Sequence, residues 1–241
     1  MKTNFEKVIE FNKCFGSYVS STLNHDLFKT SPKIVELKFS LVEEEVNELV
    51  DAYNNNDKIE IIDALSDIKY VVYGMAAAFG IHMDNEFGHY LETYGPKPLL
   101  QGGSNFEMIH EHYKNNLTPL TTIINVLKSS LENIKVNIKC SDINNLRINL
   151  CKILYNVNKF GSSININLDK SFNIVHQSNM TKVCDSEELA KQTVQWYLDN
   201  DNRYNTPCYR QNDYGWVIFN KDTGKILKSI HYIPADFSTL L

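Results

Sequence analysis

Acidic side chains are concentrated in one stretch of the 241-residue sequence, LVEEEVNELVDAYNNNDKIEIIDALSDIKYVVYG at 41–74. Turned through about 100° per residue, a first helix places three glutamates in one sector of its surface. A second helix, after a short turn at 54–57, gathers three more acids into an arc of about 60°. The six acids are Glu44, Glu45, Glu48, Glu60, Asp63 and Asp67. Carboxylates at this density are typical of a site that binds metal ions.

These acids lie on helix faces that otherwise carry core residues. Leu37 and Leu41 share the sector of the first-helix glutamates, and the second helix is apolar nearly all round. Burying unpaired carboxylates costs several kcal/mol, and no cluster of Lys or Arg lies nearby in sequence to neutralise them. Mg²⁺ or Mn²⁺ would do so, since both accept oxygen ligands and keep positions open for phosphate. A solvated acidic face is the alternative interpretation.

The composition bounds the class of protein. Hydrophobic residues make up 43% of the chain and charged residues 22%, as in soluble globular proteins. The net charge of −5 argues against a nucleic-acid-binding surface. No apolar run reaches the roughly 20 residues of a membrane span, and the N-terminal residues lack the apolar centre of a signal peptide. We therefore expect a cytoplasmic protein that binds neither nucleic acid nor a membrane.

Helical periodicity extends over most of the chain and predicts an all-α fold. Ser31-Pro32 opens the helix that carries the first acids, because Ser is a good N-cap and Pro fits the first helical position. Further helices are predicted at 3–16, 105–116, 119–137 and 142–160. The segment FGIHMDNEF at 79–87 resembles FGSSININLDKSF at 160–172, which indicates a partial duplication.

The C-terminal part changes character. Ser186 begins a helix that ends near Asn200. Two β-favouring segments then flank the sequence KDTG at 221–224, where Gly224 can supply a left-handed turn residue. A small β-hairpin is therefore predicted there.

Several motifs occur in a specific order. EExxE is formed by Glu44, Glu45 and Glu48, and ExxD by Glu60 and Asp63. DALSDIKYVVYG follows at 63–74, HQSNMTK at 176–182 and TGKILKSIHYIPADF at 223–237. Together they resemble the all-α NTP pyrophosphohydrolases, a superfamily of MazG-like proteins, and within it a phosphoribosyl-ATP-pyrophosphohydrolase-like branch. The resemblance implies a MazG-like helical bundle, here with an inserted helical segment and a small C-terminal β-hairpin.

The resemblance also suggests a division of the chain. It covers about 1–81 and 164–241, whereas relatives run from the FGI segment into HxSNM within a few residues. We therefore expect a catalytic helical bundle from 1–81 and 164–185, and a helical insertion at 82–163. The segment 186–241 would form a C-terminal helix, the β-hairpin and a tail.

What the resemblance implies is hydrolysis of a nucleoside triphosphate between its α and β phosphates, giving a monophosphate and pyrophosphate. Phosphoryl transfer to water needs divalent ions and a positioned carboxylate, which clustered acids on facing helices can supply. By resemblance, Glu44 would be the base, and Glu45, Glu48, Glu60 and Asp63 would hold Mg²⁺ or Mn²⁺. Asp67 lies one turn beyond Asp63 and could be a further metal ligand or could support the ligands from behind. Substrate-binding residues would be Lys38, His176, Asn179, Lys182, Lys228 and Tyr232. The base and sugar of the substrate stay open.

Two other classes of function fit parts of the pattern. Glu86 and His89 form an ExxH pair, as do Glu107 and His110, and di-iron carboxylate bundles combine two such pairs. Gly88 within the first pair and the Gly/Pro-rich stretch between the pairs argue against this site. A non-catalytic helical binding protein with a metal-stabilised core is the other alternative.

The apolar second helix has a consequence for assembly. A hairpin of two helices cannot cover its own apolar surface, so further helices must pack against it. Related proteins form dimers or tetramers, and we expect a homodimer or higher homo-oligomer. The inserted helices at 82–163 could instead take the place of the partner.

Overall fold

The computed structural model describes residues 2–95, 105–113 and 118–241, with only the backbone described at 105–108. This part of the chain forms ten helices and a two-stranded hairpin, so the expectation of an all-α fold with a small hairpin is confirmed. The helices are α1 Asn4–Cys14, α2 Leu27–Thr30, α3 Pro32–Asn54, α4 Lys58–Phe79, α5 Met83–Tyr94, α6 Asn105–Tyr113, α7 Leu120–Cys140, α8 Ile143–Ser163, α9 Leu168–Met180 and α10 Glu187–Asn200. The strands are β1 Pro207–Asn212 and β2 Gly215–Asn220. Among the described helices, none has an apolar stretch long enough to cross a membrane.

The two acid-bearing helices are α3 and α4, and their connection follows from the local sequence. Pro32 occupies the first turn of α3, although the Ser31 side chain makes no capping hydrogen bond. Asn56 adopts a left-handed conformation at φ 54°, which Asn tolerates better than most residues. The carboxylate of Asp57 then accepts hydrogen bonds from the backbone N–H groups of Ile59 and Glu60, which caps α4.

Helix α4 lies at the centre of the bundle. It packs against α3 on one side and against α1, α5, α8 and α9 on the others. Most of its residues from Ile61 to Phe79 are buried, as the apolar pattern predicted. The helices that cover α4 therefore come from the same chain, and two of them, α5 and α8, belong to the segment predicted as an insertion.

The backbone of α3–α4–α5 is repeated in α7–α8–α9 at one constant offset. Asp57 N donates to Ala52 O before α4, and Asp142 N donates to Asn137 O before α8. After these helices, Ile81 N donates to Ala76 O and Ile166 N donates to Gly161 O.

The left-handed residues of the two units also correspond. Gly80 has φ 67° and Asn165 has φ 58° at the same offset, and these two residue types adopt that conformation most readily. The two similar sequence segments differ in length, and this correspondence aligns their ends, Phe87 with Phe172. Their first residues do not correspond, because Gly161 lies inside α8, where Leu168 packs closely against it.

The sequence predicted a hairpin whose turn is the KDTG sequence at 221–224, but the two strands of the observed hairpin both lie before this turn. β1 pairs antiparallel with β2 through a turn at 213–214, whereas the segment after Gly224 forms only one isolated bridge, between Phe219 and Ile226. Gly224 does adopt the predicted left-handed conformation, with φ 77°. Leu227 N still donates to the carbonyl oxygen of Ile218 in β2, but the N–H groups of Lys228 and Ile230 bond to Tyr197 and Thr193 of α10 instead, so the ladder does not continue.

The hairpin and α10 form a second small core with the tail and are attached to the main bundle. Cys184, Leu189 and Tyr197 are buried against Ile218 and Leu227. Arg210 Nη2 donates hydrogen bonds to the carbonyl oxygens of Phe15 and Gly16, at 2.7 and 3.1 Å. The C-terminal segment is thereby held beside α3 and α4, where the acids lie.

Candidate active site

A cavity of about 450 Å³ lies between the acid-bearing helices and the C-terminal part of the chain. All six acids singled out in the sequence line it, from both α3 and α4. The opposite wall comes from α9, α10 and the tail, and it carries four cations. These are Lys182, Arg203, Lys225 and Lys228. An acidic wall therefore faces a basic wall across one cavity.

A larger cavity of about 680 Å³ lies near the far end of α4, against α1 and the loop that follows it. Its lining is mainly apolar and includes Phe5, Ile9, Val19 and Ala77, with a single acid, Glu6. Because it gathers no carboxylate cluster, it is a weaker candidate for phosphate chemistry than the cavity between the acids and the cations.

Burial and mutual repulsion change the acidity of the carboxyl groups. Burial, followed by repulsion from Asp67 and two neighbouring glutamates, raises the pKa of Glu45 to about 9. Burial and the charge of Asp63 raise the pKa of Asp67 to about 7, and burial and Glu60 raise that of Asp63 to about 6. Burial also raises the pKa of Glu48. The acidic wall thus lacks sufficient positive charge to keep all its carboxylates ionised at neutral pH.

One cation of the basic wall contacts an acid directly. Lys225 Nζ lies 2.9 and 2.7 Å from the two carboxylate oxygens of Glu44. Burial disfavours the charged form of Lys225, but the contact with Glu44 raises its pKa overall. Lys225 follows Gly224, whose left-handed turn directs the tail back across α3.

The other predicted groups of this wall surround one aromatic ring. Lys228 Nζ lies 4.7 Å from the centroid of the Tyr232 ring, and Lys182 Nζ lies 5.9 Å from it. Ser178 Oγ is 2.7 Å from both Tyr232 Oη and the carbonyl oxygen of Ile233, which fixes the ring against α9. Asn179 also lines the cavity.

Two residues predicted to bind substrate are placed elsewhere. Lys38 is buried inside the bundle with Nζ 3.5 Å from Asn12 Oδ1, and burial lowers its pKa to about 8. His176 is half-buried, with Nδ1 3.0 Å from the hydroxyl of Tyr70, and burial lowers its pKa. Neither residue lines the cavity that holds the acids.

Several lining residues were missed by the sequence analysis, and four of them come from the end of α10, the connection after it and the tail. These are Tyr197, Arg203, Tyr204 and Lys225. Lys225 could have been found, because it lies within the TGKILK motif three residues before Lys228. The other three lie at the end of α10 and just after it, a segment that matched no motif.

The ExxH residues take part in other contacts. Arg147 Nη1 lies 3.0 Å from Glu86 Oε1, and His89 Nδ1 lies 3.3 Å from Glu92 Oε2. The side chain of Glu107 falls outside the described residues. Neither Glu86 nor His89 lines the acidic cavity.

The acids fit a hard divalent cation by their chemistry. Every side chain of the acidic wall offers carboxylate oxygens, the ligands that Mg²⁺ and Mn²⁺ prefer, and burial together with crowding raises the pKa of four of them. In the described ranges, no group of three or more His, Cys, Asp or Glu side chains is already arranged to hold a metal ion. The carboxylate of Glu44 forms an ion pair with Lys225.

The helical bundle and its acid-lined cavity correspond to a class of all-α nucleotide hydrolases. Residues 8–89, which contain α3, α4 and all six acids, match the phosphoribosyl-ATP pyrophosphohydrolase family. This segment carries the match, and the matched family lies in the MazG-like all-α NTP pyrophosphohydrolase superfamily. Because members of the matched family are pyrophosphohydrolases, the match supports a hydrolase with a nucleotide pyrophosphohydrolase-like function.

The similarity to one relative extends beyond the matched segment. The chain is 32% identical over 242 aligned residues to the uncharacterized protein L479 of Acanthamoeba polyphaga mimivirus. The alignment covers 99% of this chain and 96% of that protein, so both share the repeated helices and the C-terminal segment. No solved structure matches the chain.

Proposed function

We propose that the protein is a Mg²⁺-dependent nucleoside triphosphate pyrophosphohydrolase that cleaves between the α and β phosphates. The products are a nucleoside monophosphate and pyrophosphate, and Mn²⁺ can replace Mg²⁺. The observation that supports this most strongly is the cavity itself, with six carboxylates opposite four cations. A metal–triphosphate complex is the ligand whose charges complement both walls at once.

The acidic wall holds the metal. Glu45, Glu48, Glu60 and Asp63 are the proposed ligands, with Asp67 as a further ligand. Mg²⁺ held by these residues would neutralise the charge of the phosphate oxygens and of the crowded carboxylates. Their raised pKa values support this role, because the cavity favours any cation that relieves the repulsion.

Glu44 is the proposed general base. It is exposed at the edge of the acidic wall, and its carboxylate accepts the proton of the attacking water. The water oxygen forms the new bond to phosphorus while the bond from phosphorus to the α–β bridging oxygen breaks. Lys225 lies against both oxygens of Glu44, which supports a role in orienting this carboxylate.

The basic wall binds the phosphates. Lys182, just after α9, and Lys228, in the tail, lie near the same Tyr232 ring. Their ammonium groups suit the phosphate oxygens of the substrate and of the pyrophosphate that leaves. Asn179 adds a neutral hydrogen-bonding group. Burial lowers the pKa of Lys182, although the charge of Asp67 opposes this shift.

We further propose that one chain completes its own active site. One copy of the chain supplies both the acidic and the basic wall of the cavity, and α8 and α9 cover α4 within the chain. In this proposal α7–α8 take the place that a partner subunit would have. The predicted homodimer or higher oligomer stays a prediction, and so does the division into catalytic bundle, insertion and C-terminal segment.

A pyrophosphate-release assay over a panel of ribo-, deoxy- and oxidised nucleoside triphosphates and phosphoribosyl-ATP tests the proposal. We expect Mg²⁺-dependent release of pyrophosphate from at least one of them, detected as orthophosphate only after an added inorganic pyrophosphatase. Glu48→Gln should remove this activity. Glu43→Gln is the matched control, because Glu43 lies outside the cavity and pairs with Lys135 at 2.8 Å. Release of orthophosphate without the added enzyme, across the whole panel, would contradict the proposal.

A further inference from the structure

A cavity of about 430 Å³ adjoins the one that holds the acids and is separate from the apolar cavity near α1. It is called the second cavity below. Four residues line both cavities, so the two share a boundary. These are Tyr197, Arg203, Lys228 and Tyr232. The acids are confined to the first cavity apart from Asp201, whose carboxylate is bonded to Arg203 at 2.7 Å. The second cavity is therefore a distinct, less charged space next to the proposed phosphate site.

Trp196 is the most prominent side chain of the second cavity. It projects from α10 and is 46% exposed, although Trp is the residue with the largest apolar surface to bury. An exposed indole face beside a phosphate-binding cavity is suited to stacking against a nucleobase, since every base presents a π face.

The position of Trp196 is fixed relative to the basic wall. The neighbouring Tyr197 is buried, and its hydroxyl donates to the carbonyl oxygen of Lys228 at 3.1 Å and accepts from Lys228 N–H at 3.0 Å. These bonds join α10 to the tail that carries Lys228. A ligand that spans the shared boundary would therefore contact both Trp196 and the proposed phosphate-binding lysines.

We infer that the second cavity is the nucleobase subsite and that Trp196 is the side chain on which the base stacks. This inference rests on the proposed function, because it places the base of the nucleotide whose phosphates occupy the acidic cavity. The adjoining cavity has fewer charged side chains than the acidic cavity and presents the exposed indole of Trp196, so it suits a planar base better. The subsite is built by α10 and the tail, outside the segment 8–89.

Intrinsic fluorescence provides a test that does not depend on turnover. The chain contains two tryptophans, so Trp216→Phe leaves Trp196 as the single emitter. In this variant, with Mg²⁺ present, we expect a panel of nucleoside monophosphates to quench the emission saturably. Ribose 5-phosphate and pyrophosphate should not. In Trp196→Phe the quenching should be lost. Equal quenching by ribose 5-phosphate, or none by any nucleotide, would overturn the inference.

Kinetics separate this inference from the proposed function. Trp196→Ala should raise KM for the nucleoside triphosphate about 10-fold or more, while kcat changes less than about 3-fold and inhibition by pyrophosphate is unchanged. Leu198→Ala is the matched control, since Leu198 is exposed on the same helix but does not line either cavity. An unchanged KM in Trp196→Ala refutes the base subsite and leaves the proposed function standing. A wild-type protein that releases no pyrophosphate refutes the proposed function, and the quenching titration then still decides whether the base binds here.

Discussion

Lys225 Nζ and the carboxylate of Glu44 form an ion pair, at 2.7 and 2.9 Å, that joins the C-terminal tail to α3 across the opening of the acidic cavity. The two side chains are 27% and 44% exposed. An ion pair at this exposure contributes about 0–1 kcal/mol to stability. Its main effect should therefore be on the orientation of Glu44 and on the binding of phosphate.

Replacing Lys225 tests this. We expect Lys225→Gln to lower kcat/KM by about 10- to 100-fold, the loss typical of one charge-assisted hydrogen bond, with little change in the thermal midpoint. Lys225→Arg should recover part of the activity because it keeps the charge. Lys221→Gln, in the exposed turn before Gly224, is the control. A loss of stability equal to the loss of activity would indicate that the contact is structural.

Removing one acid should separate stability from activity. Glu48→Gln and Asp63→Asn should each abolish turnover, because each removes a proposed metal ligand. Without metal, both variants should be as stable as the wild type or more so, since each substitution relieves repulsion within the acidic wall. Thermal unfolding in EDTA measures this. If Glu48→Gln unfolds at a lower temperature than the wild type, the carboxylate has a structural role.

The acidic wall should also make metal-free stability depend on pH. The pKa of Glu45 is raised from 4.5 to about 9 on folding, so the folded state binds more protons than the unfolded state between these values. The contribution of Glu45 to the free energy of unfolding is therefore fully present below about pH 4.5 and is lost as the pH rises toward 9. Asp67, with a pKa of about 7, and Asp63, with one of about 6, act in the same direction.

We therefore expect the metal-free protein to unfold at a lower temperature at pH 8.5 than at pH 6. The cations that face these acids, Lys182, Lys225 and Lys228, oppose the rise in the pKa of the carboxyl groups and so reduce the effect without reversing it. Glu45→Gln should flatten the dependence, and so should added Mg²⁺. A midpoint that rises with pH in EDTA would show that the carboxylates are not crowded in solution.

The sequence predicted the acids better than the residues opposite them. Glu44 to Asp67 follow one another on two adjacent helices, so helical periodicity alone places them on one wall. Arg203 and Tyr204 come from a connection after α10, and periodicity carries no information about where such a connection packs. Lys38 lies on the acid-bearing helix α3 and was expected to bind substrate. Its side chain is instead buried beside Asn12 and does not line the acidic cavity.

The register of the internal repeat was likewise beyond the sequence pattern. The similarity between 79–87 and 160–172 was visible, but the two segments differ in length, so residue types alone left the offset between them open. The structure pairs Gly80 with Asn165, because what the two units share is a left-handed backbone conformation, not a residue type.

The hairpin was placed wrongly for a related reason. Strand propensity is present on both sides of Gly224, and contacts with α10 decide which segment forms the ladder.

The two left-handed positions give a stability prediction. A Cβ on Gly80 would lie 2.0 Å from the carbonyl oxygen of Thr22, in addition to the cost of the left-handed conformation. Gly80→Ala should therefore lower the free energy of unfolding by more than about 2 kcal/mol. Asn165→Gly, at the equivalent position of the other unit, should change it by less than about 1 kcal/mol. Urea denaturation of both variants measures the difference, and an equal effect at both sites would contradict the assigned geometry.

The last prediction concerns whether the active site needs a second copy of the chain. A homodimer is expected from the sequence, yet α4 is covered by α8 and α9 of its own chain and both walls of the acidic cavity belong to one chain. If a dimer forms, each of its two chains should therefore already contain a complete active site. We expect the specific activity to stay constant on dilution through the concentration at which sedimentation detects dissociation. Activity that falls in step with dissociation would mean that a neighbouring chain contributes to catalysis. The Glu48→Gln variant sharpens the test: mixed in excess with wild-type protein, it should leave the wild-type activity unchanged if each chain acts alone, and should reduce it if the site is shared.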